Sequence, residues 1–150
     1  MRLKSKYPEK IEYHSSSIWD GHTGGTATVK NDLKIVYDTP AIYGGRGEGI
    51  CPDEIFVTSI LGCLSNTFLD FQRKFEMELK QLTLQGKATA IFDGNGYKIT
   101  GVIVTGKVIV GEDELETGMR CVELMKEYCH LTRTIKNCIP FEYDISVHEE

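Results

Sequence analysis

Apolar residues at Phe56, Ile60, Leu64, Phe68, Phe71 and Phe75 follow one another at spacings of four and three, which places them on one face of a helix. The pattern predicts a long helix that opens at Pro52, whose missing N–H costs nothing there, and runs to Lys74 or Phe75. Asp53 and Glu54 put negative charge at the positive end of its dipole. Cys63 lies on the same apolar face, among the small or polar Ser59, Gly62, Ser65 and Asn66. A second helix is expected to open at Glu112-Asp113-Glu114 and to bury Leu115, Met119, Val122, Met125 and Cys129. A short third helix follows, from His130 to Lys136, with Asn137 near its end.

Strand-like segments surround these helices. Lys10-Ile11-Glu12-Tyr13-His14 alternates and suggests a first strand; Gly21 to Gly25 then breaks the chain. Thr26 to Lys30 and Leu33 to Tyr37 read as a hairpin about Asn31-Asp32, ended by Pro40. A glycine loop at residues 44–49 leads into the long helix. After it come Lys80 to Phe92, the turn Asp93-Gly94-Asn95-Gly96, and Tyr97 to Val104 and Lys107 to Val110 with an interruption at Gly106. Phe141, Tyr143, Ile145 and Val147 alternate as a last strand. Strands in groups predict an α+β protein with an antiparallel or mixed sheet. No repeat or linker divides residues 1–150, so a single domain is expected.

Composition narrows the function. With 150 residues and 41% of them hydrophobic, a real core is affordable. The net charge of -5 argues against a nucleic-acid partner, which demands basic surface. No apolar run approaches the roughly 18 residues of a membrane span, and Met1 to Lys6 carries charge with no apolar leader behind it. Five cysteines without a secretory signal point to a reducing, cytoplasmic setting. The glycine loop lacks the Gly-Lys-Ser/Thr ending of a phosphate loop, so no nucleotide cofactor is implied.

Two of the five thiols invite chemistry. Cys63 and Cys129 lie far apart in sequence, yet each sits on the apolar face of its own helix. Two amphipathic helices in a small α+β domain are expected to pack together, and the thiols can then meet. Cys129 stands where the third helix begins, so its sulfur should feel that dipole, with Arg133 one turn on. Buried free cysteine is also common in cores, and a purely packing role for both stays open. Cys51 reads as structural, Cys121 as partly buried, and Cys138 as the start of the last strand. A zinc site from Cys129, His130 and Cys138 lacks a Cys-x-x-Cys pair and a fourth ligand, so no metal is expected. His14, His22 and His148 sit in polar, exposed contexts.

The stretch from Pro40 to Phe68 resembles the OsmC/Ohr family of thiol peroxidases: a Gly-Gly loop, Pro-acid-acid-apolar-apolar, then a cysteine ten residues after the first acid. Lys126 to Asn137 with its terminal strand resembles the family's second cysteine motif, and Trp19-Asp20-Gly21 through Gly24-Gly25 its N-terminus. The resemblance implies an OsmC-like fold, with sheets on a long central helix and a C-terminal helix pair, in an intertwined homodimer. It implies a peroxidatic thiolate at Cys63 and a resolving thiol at Cys129, which pass through sulfenic acid to a disulfide. It further implies a hydroperoxide substrate, expected to be organic, and an external dithiol or lipoylated reductant. The family's acid falls on Asp53, with Glu54 beside it. Ten helical residues rise about 15 Å, so that acid is expected to serve a thiol of a second subunit. The family's arginine position after Gly24-Gly25 holds Thr26, and Arg46 in the glycine loop is the substitute cation expected to turn towards Asp53. That departure supports a rival reading: a redox-sensing or small-molecule-binding protein with little or no turnover.

Overall fold

A computed structural model of the chain describes residues 7–150; the charged stretch 1–6 lies outside them. Two compact units meet in sequence at the start of the long helix, Met1–Pro52 and Asp53–Glu150.

In the first unit β1 (Ser16–Trp19), β2 (Gly24–Thr28) and β3 (Lys34–Asp38) form an antiparallel sheet in that order. The expected turn between the second and third strands is present, with Asn31 and Asp32 left-handed at φ 63° and 57°. The first strand is displaced from its expected place. Residues 10–14 join no strand, and the serine-rich Ser16–Trp19 pairs instead, Ser16 with Thr28 and Trp19 with Gly25. A ready ladder partner outweighs weak local propensity. Asp38 ends β3 almost fully buried and anchors the glycine loop, accepting from Thr23 Oγ1 at 2.6 Å, Thr39 N at 2.8 Å and Glu48 N at 3.0 Å.

The second unit contains α1 (Pro52–Lys74), β4 (Leu79–Phe92), β5 (Tyr97–Val110), α2 (Leu115–Tyr128), α3 (His130–Ile135) and β6 (Phe141–Glu149). β4 and β5 are antiparallel, whereas β6 runs parallel to β5, so the sheet is mixed. Gly106 lies within β5, which continues through it. Asp93 closes the β4–β5 turn by accepting from the amides of Asn95 and Gly96 at 2.9 and 3.3 Å.

Ile60, Leu64 and Phe68 of α1 are buried with Val102, Val104, Val108 and Val110 of β5 and with α2. Burial of each such side chain contributes about 1.5–3 kcal/mol. Phe75 falls just past α1 and is exposed, stacked on Phe71 with ring centroids 6.3 Å apart. Contrary to the expectation, α1 is long and apolar enough to cross a membrane by length and composition. A core helix passes the same test, and the buried residues of α1 belong to this unit's core.

The buried face of α2 is rotated from the expected one. Gly118, Cys121, Val122, Leu124 and Met125 face inward, while Leu115 and Met119 are exposed. Gly118 sets this orientation: a Cβ there would lie 2.9 Å from Cγ1 of both Val110 and Val147, so the bare backbone rests on the sheet. Cys121 is accordingly fully buried rather than partly so. β6 alternates as expected, with Phe141, Tyr143, Ile145 and Val147 turned towards the core. Cys138 precedes that strand in a turn and is exposed.

Candidate active site

α1 presents Cys63 one residue before Leu64, so the thiol borders the buried stripe and stays partly open. Cys129 occupies the single residue between α2 and α3, with φ -59° and ψ 114°, and is fully buried. The two sulfurs approach to 3.2 Å and neither is bonded. A disulfide needs about 2.05 Å, a closure of roughly 1 Å. Remote thiols therefore meet within bridging range.

The break at Cys129 is held from below. Thr132, itself buried, donates to the Cys129 carbonyl at 3.1 Å, and Thr67 donates to the Cys63 carbonyl at 2.8 Å. These bonds fix the backbone on both sides of the sulfur pair. The hydroxyl of Tyr143, on β6, is held by Thr132; burial pushes its pKa up, against the pull of that contact.

Burial is the largest influence on Cys63 and pushes the thiol up. The backbone N–H of Leu131 opposes it, the neighbouring Cys129 thiol adds to it, and the N–H of His130 opposes it again. The dipole at the start of α3 was expected to act on Cys129; these amides act on Cys63, because the sulfur of α1 lies over the helix opening.

The imidazole of His130 also reaches this sulfur. Its Nδ1 stands 3.5 Å and its Nε2 3.9 Å from Cys63 Sγ, and the ring is exposed to solvent. Sequence reasoning placed His130 beside Cys129 only as a possible zinc ligand and did not connect it with Cys63. The available signal was a basic ring directly after a helix-junction cysteine.

The remaining site candidates have neighbours of their own. Asp53 and Glu54 sit exposed at the start of α1, which runs unbroken past Cys63. About 15 Å of helical rise separates Asp53 from Cys63 in one chain. Arg46 is an ion-pair centre of the first unit: its guanidinium meets the Asp20 carboxylate, with Asp38 at 3.7 Å and Glu48 at 3.6 Å. Thr26 lies in β2 between Ile18 and Val36.

An α+β frame that brings two free thiols together at a helix junction defines the class. The OsmC-like protein family model matches residues 45–144, and the chain belongs to that family. Solved structures agree on the fold. A hypothetical protein from Aquifex aeolicus VF5 superposes with a TM-score of 0.77 at 15% identity, over 94% of this chain and 99% of that one. An OsmC-like protein of unknown function from Vibrio cholerae gives 0.72 at 17% identity, over 92% and 99%. The organic hydroperoxide resistance protein OhrB of Bacillus subtilis gives 0.66 at 16% identity, over 91% and 98%. No curated protein matches the sequence significantly.

Proposed function

We propose that this chain is a thiol-dependent peroxidase that reduces organic hydroperoxides in a reducing, cytoplasmic setting. The observation that carries the reading is the 3.2 Å approach of a partly exposed sulfur, Cys63, to a buried one, Cys129. The accessible thiolate attacks a peroxide oxygen and becomes sulfenic acid, releasing an alcohol. The buried thiol then displaces hydroxide from that sulfur, which leaves as water, and a disulfide forms. An external dithiol or lipoylated protein returns both thiols to the reduced state. Half-buried Phe56, Leu61 and Leu131, packed against the core that contains Cys129, favour an apolar peroxide, and a family that includes organic hydroperoxide resistance proteins supports the same substrate class.

The reading includes a homodimer. In the first unit Ile18, Trp19 and Val36 are 73%, 70% and 55% exposed, a cost that a second copy would relieve. Asp53 or Glu54 would then act on a thiol of that copy. Arg46 would serve as the cation of the site.

Cumene hydroperoxide consumption, measured with a dithiol present, tests the proposal. Cys63→Ser should abolish turnover, and Cys129→Ser should oxidise once without recycling. Native turnover in Cys63→Ser would refute it. The rival reading, a sensor or binding protein, is favoured by Thr26 at the family's arginine position and by the burial that raises Cys63. It predicts one oxidation event, or none, in the native protein.

A further inference from the structure

The contact between His130 and Cys63 has no part in the two-thiol scheme, yet it supplies what that scheme leaves open. The partly exposed Cys63 thiol must lose its proton before attack, and the departing alkoxide must gain one. Among the described residues, the side chains hydrogen-bonded to the Cys63 sulfur are Cys129 and His130, and only His130 offers a basic nitrogen.

We propose that His130 is a catalytic residue of this site, with Nδ1 taking the proton of Cys63 and returning it to the alcohol that leaves the hydroperoxide. The inference rests on the peroxidase reading above. Cys63 S–H donates to the imidazole, giving a thiolate and an imidazolium. The thiolate's electron pair forms the S–O bond to the terminal oxygen, which keeps its hydrogen, while the O–O bond breaks towards the remaining oxygen. The imidazolium proton moves to that alkoxide. The products are Cys63 sulfenic acid, an alcohol and a neutral imidazole.

Geometry suits both transfers. Nδ1 at 3.5 Å is within hydrogen-bond range of a sulfur, and both ring nitrogens face the same atom. Attack adds an oxygen to that sulfur, and a peroxide approaching along the exposed ring would leave its departing oxygen beside the imidazole. The imidazole is exposed, so solvent can reset its protonation after each event. Cys129 cannot substitute, because it is buried and its own proton is needed in the next step.

Two reactions of Cys63 separate the roles. Alkylation by iodoacetamide needs only a thiolate, since iodide leaves without a proton; peroxide reduction needs the thiolate and the acid. Rates of both at Cys63 are measured by peptide mass spectrometry in the reduced full-length protein, in His130→Phe and in His130→Gln. The glutamine variant keeps size and polarity without proton exchange, and far-UV circular dichroism confirms folding. Oxidation by cumene hydroperoxide should slow about 100-fold in both variants, and alkylation should slow by less. Added imidazole should restore part of the oxidation rate in His130→Gly. Native oxidation rates in folded variants overturn the proposal, and equal slowing of both reactions overturns the acid step. A native protein that is alkylated but never oxidised by peroxide defeats the peroxidase reading instead. Slower alkylation in the variants would then still uphold the thiol–imidazole pair.

Discussion

Cys63 Sγ and Cys129 Sγ stand 3.2 Å apart across 66 residues of sequence, one on a continuous helix and the other at a one-residue break between two helices. Backbone bonds from Cys129 N to Met125 O and from Arg133 N to Cys129 O hold the junction residue in place, so closure to a bond falls to rotation of the two cysteine side chains.

Mild oxidation should therefore close this pair. Diamide treatment should remove two hydrogens by intact mass and yield a Cys63–Cys129 linked peptide. A cross-link over 66 residues should stabilise the fold by roughly 4 kcal/mol in urea unfolding. Cys129→Ser should lose that redox dependence.

Alkaline pH should weaken the reduced protein. Burial raises Cys63 and Cys121 above the ordinary thiol value of 9.0. The unfolded chain then gives up protons first, so this contribution is complete below pH 9.0 and is lost as pH rises through the folded values. Urea midpoints under reducing conditions should fall above pH 9.0, and less steeply in Cys121→Ala.

Acid should act on the first unit. The Thr23 hydroxyl, the Glu48 and Thr39 amides and the Arg46 charge hold Asp38 below its ordinary 3.8, against burial. The folded carboxylate is thus favoured above pH 3.8, and this contribution disappears as pH falls below it. Asp38→Ala should free the 39–49 loop, read as faster hydrogen exchange at the Thr39 and Glu48 amides.

Gly118→Ala tests the seat of α2. Alanine favours a helix interior over glycine by about 1 kcal/mol. The new methyl would meet two stiff valines at 2.9 Å, and such overpacking costs about 1–3 kcal/mol. A net loss of about 1 kcal/mol is expected from chemical denaturation, recovered when Val147→Ala is added.

Leu64→Ala should cost about 2–5 kcal/mol, because the leucine is fully buried beside the thiol-bearing turn of α1. A thermal melt measures it.

Periodicity exposed the long helix, the alternating last strand and the two cysteines, since each follows from local spacing. What escaped were features set by a distant neighbour. Ser16–Trp19 becomes a strand because β2 is there to pair with it. The inward face of α2 is decided by two valines on β5 and β6 that admit only Gly118. His130 escaped for the same reason: its partner is a sulfur 67 residues away, visible only once α1 lies over the start of α3.

The parallel course of β6 beside β5 carries a consequence for synthesis. Tyr143 bears on Thr132, and Thr132 holds the Cys129 carbonyl, so the final strand helps seat the Cys129 sulfur. On the ribosome, Cys63 emerges long before that strand exists and waits as an unguarded nascent thiol. Its proper companion can be locked in place only when translation is nearly finished, and until then the surrounding redox milieu alone protects it from the wrong bond.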